Sequence, residues 1–435
     1  MEKSNILMLR GLQLYLVLWP TAWGLFYISH TINTPSTTAY LLGYASGLLP
    51  AIFIILGVLT RAREYTLPIR FSSWQLIAIA MVLVAALTGP SIAAQTPEYS
   101  YALLVMMFPL IMAGFGAALW LACMPVVEWK RLALATGLGM LLFVVVVFPM
   151  LPTYFVATGR DLGAGWERGI VPFFNIRRFT HSVIIALAAG TGLWVWSLQA
   201  ALSTKTRMMQ GGLFLSLCCG WTVIFWAGSR APVLAFSAAV LLLLWLIAGH
   251  RRALLAGWLV PSLIGLSVSA FLPSPKTNIG TFSRIDHYSR VEGLSLNQFS
   301  ANRLGIWSDT INLIREQPLF GYGHRQFSFI HHSDYATPHN FPLEMLFDFG
   351  IVGGIPALLL VYGGVLSLLW RAYYQRLTPR TSTGLLVVLT MTIQAFLDGV
   401  ISDYYRIVLF GMFWAIAWVS LTLENRENAK RTGPP

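Results

Sequence analysis

The chain has 435 residues, of which 56% are apolar and only 11% charged, with a mean hydropathy of +0.67. A soluble domain carries about 25% charged residues, so composition excludes the two or three soluble domains that length alone suggests and implies one membrane-embedded unit over residues 1–435. The net charge of +12 would point to nucleic acid in a soluble protein; in a membrane protein it has to be sorted by side of the bilayer, and no nucleic-acid partner is expected.

The N-terminal MEKSNILMLR leads into an apolar stretch with no small-residue cleavage site behind it, which predicts a retained first span. A spanning helix needs about 20 largely apolar residues. Twelve segments qualify: 11–29, 39–59, 71–89, 101–122, 132–151, 181–202, 211–228, 233–249, 253–271, 345–370, 384–402 and 404–423. The expected fold is an all-α polytopic membrane protein of about twelve transmembrane helices. An even number of spans puts both ends on one side.

The positive-inside rule assigns that side. With the N-terminus inside, the inner segments hold 17 basic residues against five acidic ones, and the short outer loops 30–38 and 90–100 hold no Lys or Arg. Both ends are therefore expected in the cytoplasm. The other 12 basic residues fall outside, and 11 of them are Arg. Arg160, Arg168, Arg177 and Arg178 lie in loop 152–180, Arg230 in a tight turn and Arg406 near the last outer turn. Lys276, Arg284, Arg290, Arg303, Arg315 and Arg325 lie in a long loop over 272–344, between the ninth and tenth spans. A guanidinium is a planar fork that matches phosphate or carboxylate oxygens, which an ammonium is not. Long loops escape the charge rule, however, and can carry any charge; Arg230 has no loop around it.

The long loop is the one sizeable piece outside the bilayer. Leu304, Trp307, Ile311 and Ile314 recur at helical spacing. They predict an amphipathic helix over 301–317, capped by Ser300 or Asn302 and stopped by Pro318, lying along the membrane surface or over the spans. Gly321-Tyr322-Gly323 predicts a tight turn. Pro338-His339-Asn340 precedes a second apolar helix that Gly350 and Gly353 interrupt.

Several chemistries lack their motifs. The three cysteines, Cys123, Cys218 and Cys219, lie in or beside apolar runs and show neither a CxxC nor a Cys/His zinc spacing. No phosphate-binding GxxxxGKS loop and no HExxH occurs. His331 and His332 are adjacent with no obvious carboxylate partner, so neither metal nor cofactor is expected. Charged residues within spans are few, with Asp348, Asp398 and Asp403 near predicted outer ends. That argues against a proton or ion pathway. Arginines gathered at the outer face suit an anionic lipid head group such as a diphosphate. His339, with Pro338 and Pro342 on either side, is placed like a catalytic base, although a lone loop histidine is also a common structural hydrogen-bonding residue.

His339-Asn340, nine residues and then Gly350-Ile351-Val352-Gly353 resembles the H[NSQ]-x9-G-x-x-[GTY] pattern of the O-antigen ligase family. Arg230-Ala231-Pro232-Val233-Leu234 is similar to that family's R-x3-L pattern. Arg303-Leu304-Gly305-Ile306-Trp307, followed by Pro318-Leu319-Phe320-Gly321-Tyr322-Gly323, resembles its block in the large periplasmic loop. The R-x3-L pattern alone is weak, since many spans match it; the histidine pattern in the correct loop, order and topology is specific.

The resemblance covers the whole chain and implies a GT-C-like glycosyltransferase of a bacterial inner membrane, facing the periplasm. The implied donor is undecaprenyl-diphosphate-linked O-antigen and the implied acceptor is lipid A–core, both met among membrane lipids. It implies His339 as the base, with Asn340, Gly350 and Gly353 supporting it. Arg230, Arg303, Arg177 and Arg178 are the candidates for the diphosphate. Metal-dependent GT-C enzymes carry an acidic residue in the first outer loop; HTINTPSTT here has none, which points to a metal-independent reaction, and a single base with displacement from the opposite face predicts inversion. The rival readings are an O-antigen polymerase or a protein oligosaccharyltransferase of the same superfamily and, more distantly, a lipid or solute transporter, for which no inverted repeat is found.

Overall fold

The computed structural model describes residues 6–18, 48–59, 72–122, 128, 131–132, 134–139, 142, 176–199, 203–247, 249–272, 281–282, 285, 295, 297, 300, 302–332, 337–375, 377–399 and 404–432. Among these residues all regular structure is helical. In chain order the helices are α1 (Ile6–Leu18) and α2 (Leu48–Leu59), α3 (Ser73–Ala93), α4 (Pro97–Ala122), α5 (Ile176–Ser197), α6 (Thr204–Trp226), α7 (Arg230–Leu246), α8 (Arg251–Phe271), α9 (Arg303–Glu316), α10 (Phe327–Ile330), α11 (Phe341–Tyr374), α12 (Pro379–Asp398) and α13 (Tyr404–Thr432).

Eight of these are long and apolar enough to cross a membrane, and α1, α2 and α7 are shorter apolar helices. Together they fall on every expected segment except 132–151, of which the described residues include helix at 134–139. The protein is an all-α polytopic membrane protein. Loop 30–38, most of loop 152–180 with Arg160 and Arg168, and Cys123, Lys276, Arg284, Arg290 and Asp403 lie outside the described residues.

Burial sorts the helices into centre and rim. In α5 and α12, 83% of an 18-residue window is buried, against 28% to 33% in α3, α4, α6, α8 and α11. The outer helices turn side chains such as Leu83, Leu87, Val105, Leu263 and Leu366 outward. In lipid this is the favourable arrangement, since hydrocarbon is as apolar as leucine. Helix α12 packs against α5, α7 and α13. Small residues allow the close crossings. At Gly192 of α5 a Cβ would stand 2.6 Å from Thr383 Cα of α12, and Gly114 of α4 faces Gly411 of α13. Three buried threonines on α12 satisfy themselves along the helix: Thr383, Thr390 and Thr392 donate to carbonyls one turn back at 2.7 to 2.8 Å.

At one end of the bundle His250 Nε2 lies 3.2 Å from Ser382 Oγ, and Glu128 holds Gln13 at 3.1 Å together with Arg131. The opposite end carries the long loop. Its helix α9 runs from Arg303 to Glu316, within the expected 301–317. Asn302 stands at the N-cap without using its side chain. Ser300 Oγ accepts from Leu304 N at 3.3 Å and Asn297 Oδ1 from Gly305 N at 3.0 Å. The buried stripe differs from the expected one. Ile306 and Thr310 are buried, and Ile306 packs with Tyr322, Phe327 and Phe347, while Leu304 and Ile311 stay 44% and 41% exposed. Helix α9 has apolar side chains on two adjacent faces, and the aromatic cluster beneath it selects which one is covered.

Helix α11 breaks at Gly350 (φ 58°, ψ −163°). Segment 318–323 crosses the break and replaces the helical hydrogen bonds it removes. Ile351 N donates to Pro318 O at 2.8 Å and Val352 N to Leu319 O at 3.1 Å, while Tyr322 N and Gly323 N donate to Phe347 O and Asp348 O, both at 2.9 Å. A Cβ on Gly350 would run into Leu319 O, and one on Gly353 would sit 2.5 Å from Ala85 Cβ of α3. The nine residues between Asn340 and Gly350 are thus a short helix of two and a half turns, capped at one end by Asn340, whose Oδ1 accepts from Leu343 N at 3.0 Å, and clasped at the other. Beside the clasp, the Tyr322 hydroxyl donates to Glu316 at 3.2 Å. Burial, with the Glu316 carboxylate beside it, pushes this phenol up to about 12. It remains a neutral donor at ordinary pH.

Candidate active site

His339 stands just ahead of α11 with φ 54°, a left-handed conformation uncommon for a residue with a Cβ. Its neighbours hold it there. Trp307 Nε1 of α9 donates to Pro338 O at 3.0 Å. Asn340 Nδ2 donates to Phe396 O of α12 at 3.0 Å. Gly399 caps α12 with φ 63°, and a Cβ there would lie 3.7 Å from His339 Cα. Non-glycine residues in such sparsely populated regions cost about 1–3 kcal/mol and persist only where the surroundings over-determine them.

Below His339 lies a buried polar knot centred on Asp398, the last residue of α12. Asp398 Oδ1 faces His339 Nδ1 at 3.4 Å. Its Oδ2 meets Arg303 Nη2 at 2.9 Å and His181 Nε2 at 2.9 Å. Arg303 Nη1 also donates to Leu397 O at 2.9 Å, so one guanidinium serves both a carboxylate and a carbonyl at the end of α12, where cations are favoured. His181 Nδ1 lies 3.4 Å from Arg406 Nη1 of α13. The knot has a floor and a rim. The Asp398 and His181 side chains are 3% and 4% exposed and Arg406 is buried; the His339 and Arg303 side chains keep 20% and 17%.

Arg230 is the first residue of α7, after a turn in which Gly228 takes φ 63°. Ser229 Oγ accepts from Thr180 Oγ1 at 2.9 Å, and Thr180 precedes His181 on α5. The start of α7 is therefore tied to the helix that enters the knot. Arg177 and Arg178 occupy the first turn of α5, one turn ahead of His181; their side chains lie outside the described residues. The sequence candidates His339, Asn340 and Arg303 are thus brought together directly, Arg230 is joined to them through the Thr180–Ser229 contact, and Gly350 and Gly353 act at the far end of the short helix.

His331, by contrast, pairs with Asp309 at 3.2 Å and stacks on Phe327. Asp348 pairs with His324 at 2.8 Å, both buried, and serves the clasp. Among the described residues no group of three or more His, Cys, Asp and Glu side chains is arranged to hold a metal ion.

Three members of the knot, Asp398, His181 and Arg406, were not among the site candidates read from sequence. The signal that finds them is an ionisable residue within an apolar span-length segment; each is one.

No curated protein matches the chain. The O-antigen ligase family model matches residues 212–358, from within α6 through the clasp and into α11. The matched segment contains Arg230, Arg303, His339, Asn340, Gly350 and Gly353, whereas His181, Asp398 and Arg406 lie outside it. Over residues 212–358 the chain is similar to the O-antigen ligase family.

Proposed function

We propose that the protein is a glycosyltransferase that moves O-antigen polysaccharide from undecaprenyl diphosphate to a sugar hydroxyl of lipid A–core, at the periplasmic face of a bacterial inner membrane, with both chain ends in the cytoplasm. The observation that carries this reading is His339 at the rim of the knot, with Nδ1 turned to Asp398, in a segment that matches the O-antigen ligase family.

The acceptor hydroxyl attacks the anomeric carbon of the donor sugar. Its proton passes to His339 Nε2, while Asp398 favours the imidazolium that forms and the Nδ1 contact of 3.4 Å shortens. The C1–O bond breaks and the electron pair leaves on undecaprenyl diphosphate. Arg230 receives that charge. Arg230 is the first residue of α7, where the helix dipole also favours an anion by about 0.3–1 kcal/mol. Arg303, with Arg177 and Arg178, completes the diphosphate position. A preorganised contact to developing charge contributes about 3 kcal/mol. The diphosphate is already an activated leaving group, so no ATP is needed, and arginines do the work a divalent cation would do. Displacement from the face opposite the leaving group inverts the anomeric centre.

The test is reconstitution of purified protein with lipid-linked O-antigen and lipid A–core. The expected product is polymer on lipid A–core with inverted anomeric configuration. Elongation of lipid-linked repeats alone would make the protein a polymerase, and transfer to a polypeptide would make it an oligosaccharyltransferase. Movement of lipid across the bilayer without glycosidic transfer would make it a transporter.

A further inference from the structure

Arg406 and His181 lie outside the segment matched to the family, and neither has a place in the transfer step above. Their contacts nonetheless fix a protonation state. A guanidinium has only donors, so the ring nitrogen that faces Arg406 must offer a lone pair. That nitrogen is Nδ1, 3.4 Å from Arg406 Nη1. The proton of the neutral ring then sits on Nε2, which points at Asp398 Oδ2 from 2.9 Å. An imidazolium at this place would turn an N–H toward N–H groups of a buried cation. His181 and Arg406 are 3% and 1% exposed, so water does not screen that conflict.

We propose that Arg406 and His181 are positioning residues for His339: Arg406 holds His181 as the neutral Nε2–H tautomer, and His181 donates to one Asp398 oxygen so that the other is kept facing His339 Nδ1. Four contacts then orient the carboxylate. His181 and Arg303 fix Oδ2, and the α12 backbone is fixed by Arg303 on Leu397 O and by Asn340 on Phe396 O. His181 neither donates nor accepts a proton in the reaction. It acts through Asp398 on the tautomer of His339, leaving Nε2 of that ring as the base. This inference rests on the transfer reading, but its first test does not.

Nitrogen-15 solid-state NMR of histidine-labelled protein in lipid, with the His181 signals assigned by their loss in His181→Gln, reports the tautomer whatever reaction the protein catalyses. The expected result is an unprotonated Nδ1 and a protonated Nε2 that do not change between pH 6 and 8. A protonated Nδ1, or an imidazolium, overturns the proposal. The second test is transfer by variants. Gln at 181 can donate to Asp398 and accept from Arg406, so His181→Gln should retain kcat within about threefold. His181→Phe keeps a ring and loses both contacts; in the fraction that folds it should lower kcat by about tenfold or more with KM near that of the wild type. A folded but inactive His181→Gln, or a fully active His181→Phe, overturns the proposal. If the wild type itself transfers no glycan while the NMR result stands, the transfer reading fails and the tautomer assignment survives.

Discussion

Asp398 Oδ1 faces His339 Nδ1 at 3.4 Å across the junction of α12 and α11. The Asp398 carboxylate is nearly sealed from solvent, whereas a fifth of the His339 side chain reaches it. In the proposed transfer this asymmetry suits a base, whose orienting carboxylate would lie in a low-dielectric floor while the ring keeps access to its substrate.

Replacing His339 should remove transfer while sparing the fold. His339→Ala is expected to lower transfer by at least about 10², the usual range for a lost general base. His339→Asn is the sharper variant, because Asn tolerates the left-handed backbone at this position. O-antigen on lipid A–core in a complemented strain, compared with membrane levels of the protein, is the measurement. His331→Ala and His332→Ala should retain most activity, since His331 serves a surface pair with Asp309.

Arg230→Ala should abolish transfer and Arg230→Lys should recover it only in part, because the bidentate fork is lost. Arg303→Lys should also be poor. A single ammonium cannot reproduce the 2.9 Å contacts that two guanidinium nitrogens make to Asp398 and to Leu397 O. Full activity in either Lys variant would show that a point charge suffices.

Gly350→Ala should destabilise the protein without touching the knot. The position has φ 58° and its Cβ would collide with Leu319 O, so the clasp must open or shift, at a cost of about 1–3 kcal/mol or more. Thermal unfolding in detergent should show a lower midpoint, and expression should fall.

EDTA should leave transfer intact. The expectation rests on arginines meeting the diphosphate charge, and on two of the nearby carboxylates being engaged: Asp398 by Arg303 and His181, Asp348 by His324. Magnesium or manganese restoring a chelated, inactive enzyme would overturn it.

Leu304 and Ile311 project outward from α9, next to Arg303. Changing both to Ser should leave the thermal midpoint unchanged, because neither is in the packed stripe. Transfer of every donor should fall if this face seats lipid at the membrane surface. Photo-cross-linking from position 304 should then capture the polyprenyl chain. Capture of polysaccharide far from the diphosphate would place the lipid elsewhere.

The spans were legible in the sequence because a membrane helix is a local object: about 20 apolar residues satisfy their own backbone, and bilayer thickness sets their length. His339, Asn340, Gly350 and Gly353 stood out in the sequence through their resemblance to a family pattern, and its nine-residue gap is one short helix, cap to break. What local pattern could not decide was partnership. Helix α9 offers two apolar faces, and only the aromatic side chains of Tyr322, Phe327 and Phe347 select Ile306 and Thr310 for burial. His181 and Asp398 are 217 positions apart; in the sequence each is one ionisable residue in an apolar run. A buried charge is tolerable only with partners, and for Asp398 those come from α5, from α9 and from the turn before α11. The tertiary structure alone brings them to one carboxylate.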